Sequence, residues 1–263
     1  MKELPPKAII SMIHVRALPG TPGYEDNMKE VIQQAIDELN IYEDAGATAI
    51  MIENMHDVPF IQPPLPKENV SGMLRVAKEM RKNTALPIGI QMLEGANIDA
   101  LYIAIEAKLD FIRAEGYVYA HVGGAGIIEG SAGELLRMRK ERKAEHIKIY
   151  ADVKKKHCAH ALTADLSIAD VIKQSDFFKA DGIIITGGFT GEPAKPDDLM
   201  EARINTELPI LAGSGITAEN YKDYKDKADG FIVGTFFKEG GDWKNPVSPE
   251  KVKALMEAAE ENN

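Results

Sequence analysis

Polar side chains collect where the apolar runs of this chain end. His14 and Arg16 follow the first run, Glu53 and Asn54 the second, and Gln91 and Glu94 the third. Arg113 and Glu115 follow the fourth, Asp152 and Lys154 the fifth, and Thr186 the sixth. A charge beside a buried strand is costly unless it is paired or shifts its pKa, so this concentration describes an active-site rim. Glu53 and Asp152 form a carboxylate pair suited to acid and base work on a sugar phosphate. Asp152 and Lys154 share one face of a strand, with apolar Ala151 and Val153 on the other. Lys154, desolvated beside other cations, would lose its proton and form a Schiff base; kept charged, it would hold a phosphate or carboxylate. Lys155 and Lys156 read as a solvated basic loop. Arg113 serves either the site or a buried ion pair with Glu53 or Glu115.

Five of the six histidines, at 14, 56, 121, 157 and 160, lie at strand ends or in strand-to-helix loops. They serve as acid–base or substrate-binding groups. The open alternative is a divalent metal on His14, Glu53, Asp152 and His157. The first strand has no HxH, reading His14-Val15-Arg16, and the chain has no HExxH. No cofactor is demanded by the sequence.

A second kind of chemistry is written in small residues. The stretch LPILAGSGITAENYKDYKDKADGFIVGT (208–235) reads as strand, glycine turn, capped helix from Thr217 and strand again. Gly213, Ser214 and Gly215 end the first of these strands, and Gly234 and Thr235 end the second. Bare backbone N–H groups at one rim suit an anion, so these residues, joined by Gly187 and Gly188, are expected to cradle a phosphate.

Such a rim needs a scaffold that brings many strand ends together. Apolar strands are expected at 8–15, 47–53, 88–93, 111–114, 147–153, 182–186, 209–212 and 230–233. Helical periodicity follows each, at 28–44, 70–82, 98–108, 134–143, 167–179, 197–205, from 217, and at 249–260. Residues 117–133 read as a long glycine-rich loop. Eight β/α units over 263 residues predict one (β/α)8 barrel filling 1–263. The strand-to-helix loops are the long ones, as a barrel with function on its C-terminal face requires. ADGIIITGG (180–188) and ADGFIVGT (228–235) repeat one another, as do LPIGIQ (86–91) and LPILAG (208–213). These echoes suggest a quarter-barrel ancestry. The competing open sheet would show a GxGxxG turn after the first strand, and none is present.

With 31 basic and 41 acidic residues the net charge is −10, which argues against general nucleic-acid binding. No apolar run reaches the length of a membrane span, and one cysteine, Cys158, fits a reducing cytoplasm. Homo-oligomerisation is open; the pairs Phe177-Phe178 and Phe236-Phe237 suit either core or interface.

The motifs MIHVRALPGTPGY, IENMHDVPF, ADVKKKH, DGIIITGGFTG, GSGITAEN and ADGFIVGT together resemble the BtpA family, which includes SgcQ-type proteins. The resemblance spans almost the whole chain. It implies a ribulose-phosphate-binding type of TIM barrel, with family associations to photosystem I accumulation and to sugar-uptake gene clusters. It carries no catalytic residues over. The expected function is therefore an enzyme acting on a phosphorylated sugar or nucleoside-like metabolite, by isomerase or lyase chemistry. A metal-dependent hydrolase and a non-catalytic assembly factor are the alternatives.

Overall fold

The computed structural model describes residues 2–155, 157–188 and 191–262. Eight parallel strands close into a barrel in the order β1-β2-β3-β4-β7-β8-β9-β10 and back to β1. They are β1 (Ala8–His14), β2 (Ala49–Glu53), β3 (Ile88–Gln91), β4 (Phe111–Ala114), β7 (Lys148–Val153), β8 (Gly182–Thr186), β9 (Ile210–Gly213) and β10 (Gly230–Val233). The remaining pair, β5 (His121–Gly123) and β6 (Gly126–Ile128), is an antiparallel hairpin after β4. Around the barrel lie α1 (Met28–Asp44), α2 (Lys67–Asn83), α3 (Asn97–Ala107), α4 (Ala132–Glu141), α5 (Ile168–Phe177), α6 (Pro196–Asn205), α7 (Tyr221–Tyr224) and α8 (Pro249–Asn262).

Two expectations change. Residues 117–133 are not wholly loop: Gly123 and Gly126 turn the chain so that His121–Gly123 pairs with Gly126–Ile128. The helix expected from Thr217 shortens to the single turn Tyr221–Tyr224. Thr217 and Asn220 bond each other's side chain and backbone ahead of it, at 2.8 and 3.3 Å, which holds those residues in a turn.

The strand pattern creates two cores. Outward residues such as Ile9, Ile13, Ile50 and Ile52 pack under the helices. Inward ones, among them Ile10, Met12, Met51, Phe111, Tyr150, Ile184, Leu211 and Ile232, fill the barrel. Small residues make room for large ones inside: a Cβ on Gly89 would fall 2.0 Å from the Phe111 ring.

One step past this apolar fill, the period of two brings His14, Glu53, Gln91, Arg113, Asp152, Thr186, Gly213 and Gly234 to the barrel's C-terminal mouth. The aromatic pairs divide. Phe237 is buried, whereas Phe177 is 77% exposed. Among the described residues no helix is long and apolar enough to cross a membrane.

Candidate functional site

The mouth holds a cavity of about 450 Å³, within the usual range for small-ligand sites. His14, Glu53, Gln91, Glu94, Arg113, Glu115 and Lys155 line one side of it, and Ser214 and Gly234 the other. Met12, Met55, Phe60, Leu93, His157, Ile232 and Trp243 complete the wall.

His14 and Glu53 face each other in the β1–β2 register, with Nε2 and Oε2 3.8 Å apart. The His14 Nδ1 lies 3.3 Å from the Trp243 carbonyl oxygen. A carbonyl only accepts, so that contact assigns the ring proton to Nδ1 and turns Nε2 toward Glu53. Trp243, in the loop after β10, stands edge-on between His14 and His56, its ring 6.3 and 4.9 Å from theirs.

Arg113 and Asp152 form a buried two-pronged ion pair, Nε to Oδ2 at 2.8 Å and Nη2 to Oδ1 at 2.9 Å. Burial opposes the Arg113 charge, but Asp152, with Glu53 and Glu115 nearby, outweighs it and raises the guanidinium's pKa above its ordinary value. Arg113 thus pairs with the strand neighbour Asp152 rather than with Glu53 or Glu115. Asp152 is corrected accordingly. Both its oxygens are engaged by Arg113, and it does not line this cavity.

Lys154 is corrected as well. Its φ of +46° breaks the alternation at the end of β7, and its amine turns away to the Leu166 carbonyl. Lys155 enters the mouth in its place, with Nζ 2.9 Å from Glu115 Oε2 and 3.9 Å from Glu94 Oε1. Lys155 is buried, not solvated; Lys156 lies outside the described residues. Burial disfavours the Lys155 charge, yet Glu115 and then Glu94 raise its pKa overall, so it stays an ammonium. Burial also lifts the Glu115 carboxyl above the ordinary range, against the pull of Lys155. Glu115 accepts from Gln91 Nε2 at 2.8 Å and from the Gly95 N–H at 3.1 Å. The β5–β6 turn holds Glu94 through the Ala125 N–H at 2.9 Å.

Nothing in the residue pattern marks Lys155 or the hairpin. The signal for Trp243 was available: a single tryptophan in a glycine-rich strand-to-helix loop.

The metal set does not assemble. Asp152 is spent on Arg113, and among the described residues no three His, Cys, Asp or Glu side chains converge as ligands. His157 lines the cavity without completing such a group.

On the small-residue side, Ser214 and Gly234 face the cavity. Thr235 opens a short 3-10 turn, whose first N–H groups find no partner inside it. Gly187 and Gly215 answer to their own chain: a Cβ there would fall 2.2 Å from the Glu192 carbonyl oxygen and 2.1 Å from the Pro193 nitrogen. Gly188 faces the Glu192 carboxylate, and Gly213 packs on Ile184 and Thr186. Among these residues, only Ser214 and Gly234 line the cavity.

Fold and site define a single eight-stranded parallel barrel with a pocket at its C-terminal mouth. The BtpA family model matches residues 5–261, and the chain belongs to that family. An uncharacterized protein of Caenorhabditis elegans, described as mitochondrial, is 43% identical over 94% of this chain and 91% of its own length. The photosystem I biogenesis protein BtpA of Synechocystis is 31% identical over 96% of this chain and 88% of its own.

Solved structures share the fold at low identity. Geranylgeranylglyceryl phosphate synthase from Thermoplasma acidophilum, complexed with sn-glycerol-1-phosphate, superposes with a TM-score of 0.61 at 16% identity. That match covers 97% of this chain and 94% of the synthase. Orotidine 5'-monophosphate decarboxylase from Methanocaldococcus jannaschii matches with a TM-score of 0.59 at 15% identity, over 96% and 98% of the two chains.

Proposed function

We infer that this protein is an enzyme that binds a phosphorylated small metabolite across the barrel mouth and acts on its far end by acid–base chemistry. The observation that carries this is the continuity of one cavity from Ser214 and Gly234 to Glu53, Glu115 and Lys155. On the small-residue side a phosphate meets the first N–H groups of the turn that Thr235 opens, beside Ser214 and Gly234. On the opposite side, Glu53 with His14 supplies a proton acceptor, and Lys155 supplies a positive charge for a developing oxyanion. Neighbours of the same fold whose names include a phosphate-bearing compound support the substrate class. The Schiff-base route loses ground, because the lysine in the mouth is held protonated by two carboxylates. Isomerase and proton-transfer lyase chemistry remain.

Thermal shift with phosphorylated sugars and inorganic phosphate tests this function, since a ligand of the native state raises its melting temperature. Ser214 is the residue to change. It lines the cavity at a φ of +64°, which Asp and Asn tolerate better than most residues. Ser214→Asp should abolish the shift, whereas Ser214→Asn should retain most of it. Equal shifts in both variants would place the phosphate elsewhere.

The Synechocystis relative supports a second reading, an assembly factor that uses this barrel without turnover. Lys155→Met separates the two: a factor keeps its biological activity with an altered mouth, and an enzyme loses it.

A further inference from the structure

Two polar groups facing the cavity, on Gln91 and Arg113, have no partner among the described residues. Gln91 is 1% exposed and gives its Nε2 to Glu115, yet its Oε1 is buried with no hydrogen bond. An unmatched buried acceptor costs roughly 1–3 kcal/mol, so its retention on a cavity wall calls for a ligand that donates to it. Arg113 spends Nε and Nη2 on Asp152, and its Nη1 bonds no described residue. The fork is therefore rigid on one edge and available on the other.

These groups are ordered. Glu53 pairs with Gln91 in the β2–β3 register, and Arg113 follows one step beyond the Ile90–Ile112 pair of β3 and β4. One row across three strands thus reads carboxylate, acceptor, cation.

We propose that the substrate's far end is an α-hydroxycarbonyl group and that the reaction is aldose–ketose isomerisation. The carbonyl oxygen sits on Arg113 Nη1, the neighbouring hydroxyl donates to Gln91 Oε1, and Glu53 carries the proton. The Glu53 carboxylate takes the C–H proton from the hydroxyl-bearing carbon. The C–H electron pair becomes the new C=C bond, and the C=O pair moves onto oxygen beside Arg113 and Lys155. The hydroxyl proton passes to that oxygen, and the proton on Glu53 returns to the former carbonyl carbon. Nothing is gained or lost overall, so no oxidant, reductant or co-reactant is needed. Asp152 is a positioning residue here, because both its oxygens bond Arg113.

The inference rests on the proposed function and fails separately from it. The full-length protein is incubated in D2O with ribose 5-phosphate, ribulose 5-phosphate, glucose 6-phosphate and dihydroxyacetone phosphate, and followed by proton NMR. Thermal shift runs in parallel, with ribitol 5-phosphate as the probe lacking a carbonyl. The expected result is deuterium at the hydroxyl-bearing carbon or the isomeric sugar for at least one compound, and at least tenfold tighter binding of it than of ribitol 5-phosphate. Glu53→Gln should remove the exchange and keep the thermal shift; Gln91→Met should weaken binding of the carbonyl compound more than that of ribitol 5-phosphate. Binding without exchange or isomer, or exchange undiminished in Glu53→Gln, overturns the inference and leaves the proposed function standing. Absence of any thermal shift overturns both.

Discussion

The two halves of the barrel mouth are built by opposite means. From β1 to β7 the inward positions are His14, Glu53, Gln91, Arg113 and Asp152, joined by Glu94, Glu115 and Lys155 from the following loops. From β8 to β10 they are Thr186, Gly213 and Gly234, with Ser214 beside them. The first half offers charged side chains, most of which need partners because water is excluded. The second offers backbone and hydroxyl groups, which require small residues so that a ligand can approach the chain. A change in the first half should therefore register first in stability, and a change in the second in binding.

The sharpest way to break that contrast is Asp152→Ala. It leaves the Arg113 guanidinium buried without its carboxylate and should cost about 3–5 kcal/mol, read as a lower urea midpoint. Arg113→Met with Asp152→Leu should return most of that loss, because no lone charge remains.

Ser214→Asp probes the other half. Its effect on stability should stay within about 0.5 kcal/mol, while affinity for a sugar phosphate falls about tenfold or more, about 1.4 kcal/mol at the least. A large drop in melting temperature instead would erase the distinction between the halves.

Acid should act through the charged half and its flank. Burial first, then Lys155, pushes the His121 pKa from 6.5 down to about 4. Burial first, then Lys238, does the same to His56. The unfolded chain then takes up protons that the native state excludes. Stability present above pH 6.5 is therefore lost as pH falls toward 4. Melting temperatures between pH 7 and 4.5 should decline, and His121→Gln should flatten part of the decline.

The mildest test is Gly234→Ala. Its Cβ would lie 3.3 Å from the His14 ring and from Met12 Cβ. Affinity should fall a few-fold, with less than about 1 kcal/mol lost in stability.

Much of this architecture could be read in the chain itself. The apolar runs at 8–15 and 230–233 reveal buried parallel strands because both faces of such strands meet hydrophobic layers. Their polar ends reveal the mouth because a barrel exposes only the strand termini. His14, Glu53, Arg113, Ser214 and Gly234 accordingly line the cavity where the pattern placed them. Membership of the BtpA family was legible in the motifs and covers residues 5–261.

Where a local period ended, so did that legibility. Alternation predicted Lys154 in the mouth, and one left-handed residue at the end of β7 put Lys155 there instead. Sequence placed Asp152 on the inward face, but only the approach of β4 to β7 decided that Arg113 would take both its oxygens. Gly187 and Gly215 looked like phosphate ligands, and the fold uses both to let Glu192 and Pro193 pass closely over them. The periodic hydrophobicity of the chain determined the barrel and which strand ends face its mouth, because burial acts on every residue of a strand alike. Which charges pair, which lysine enters and which glycine stays open were decided by contacts between segments distant in sequence, and a single strand's pattern carries no record of those.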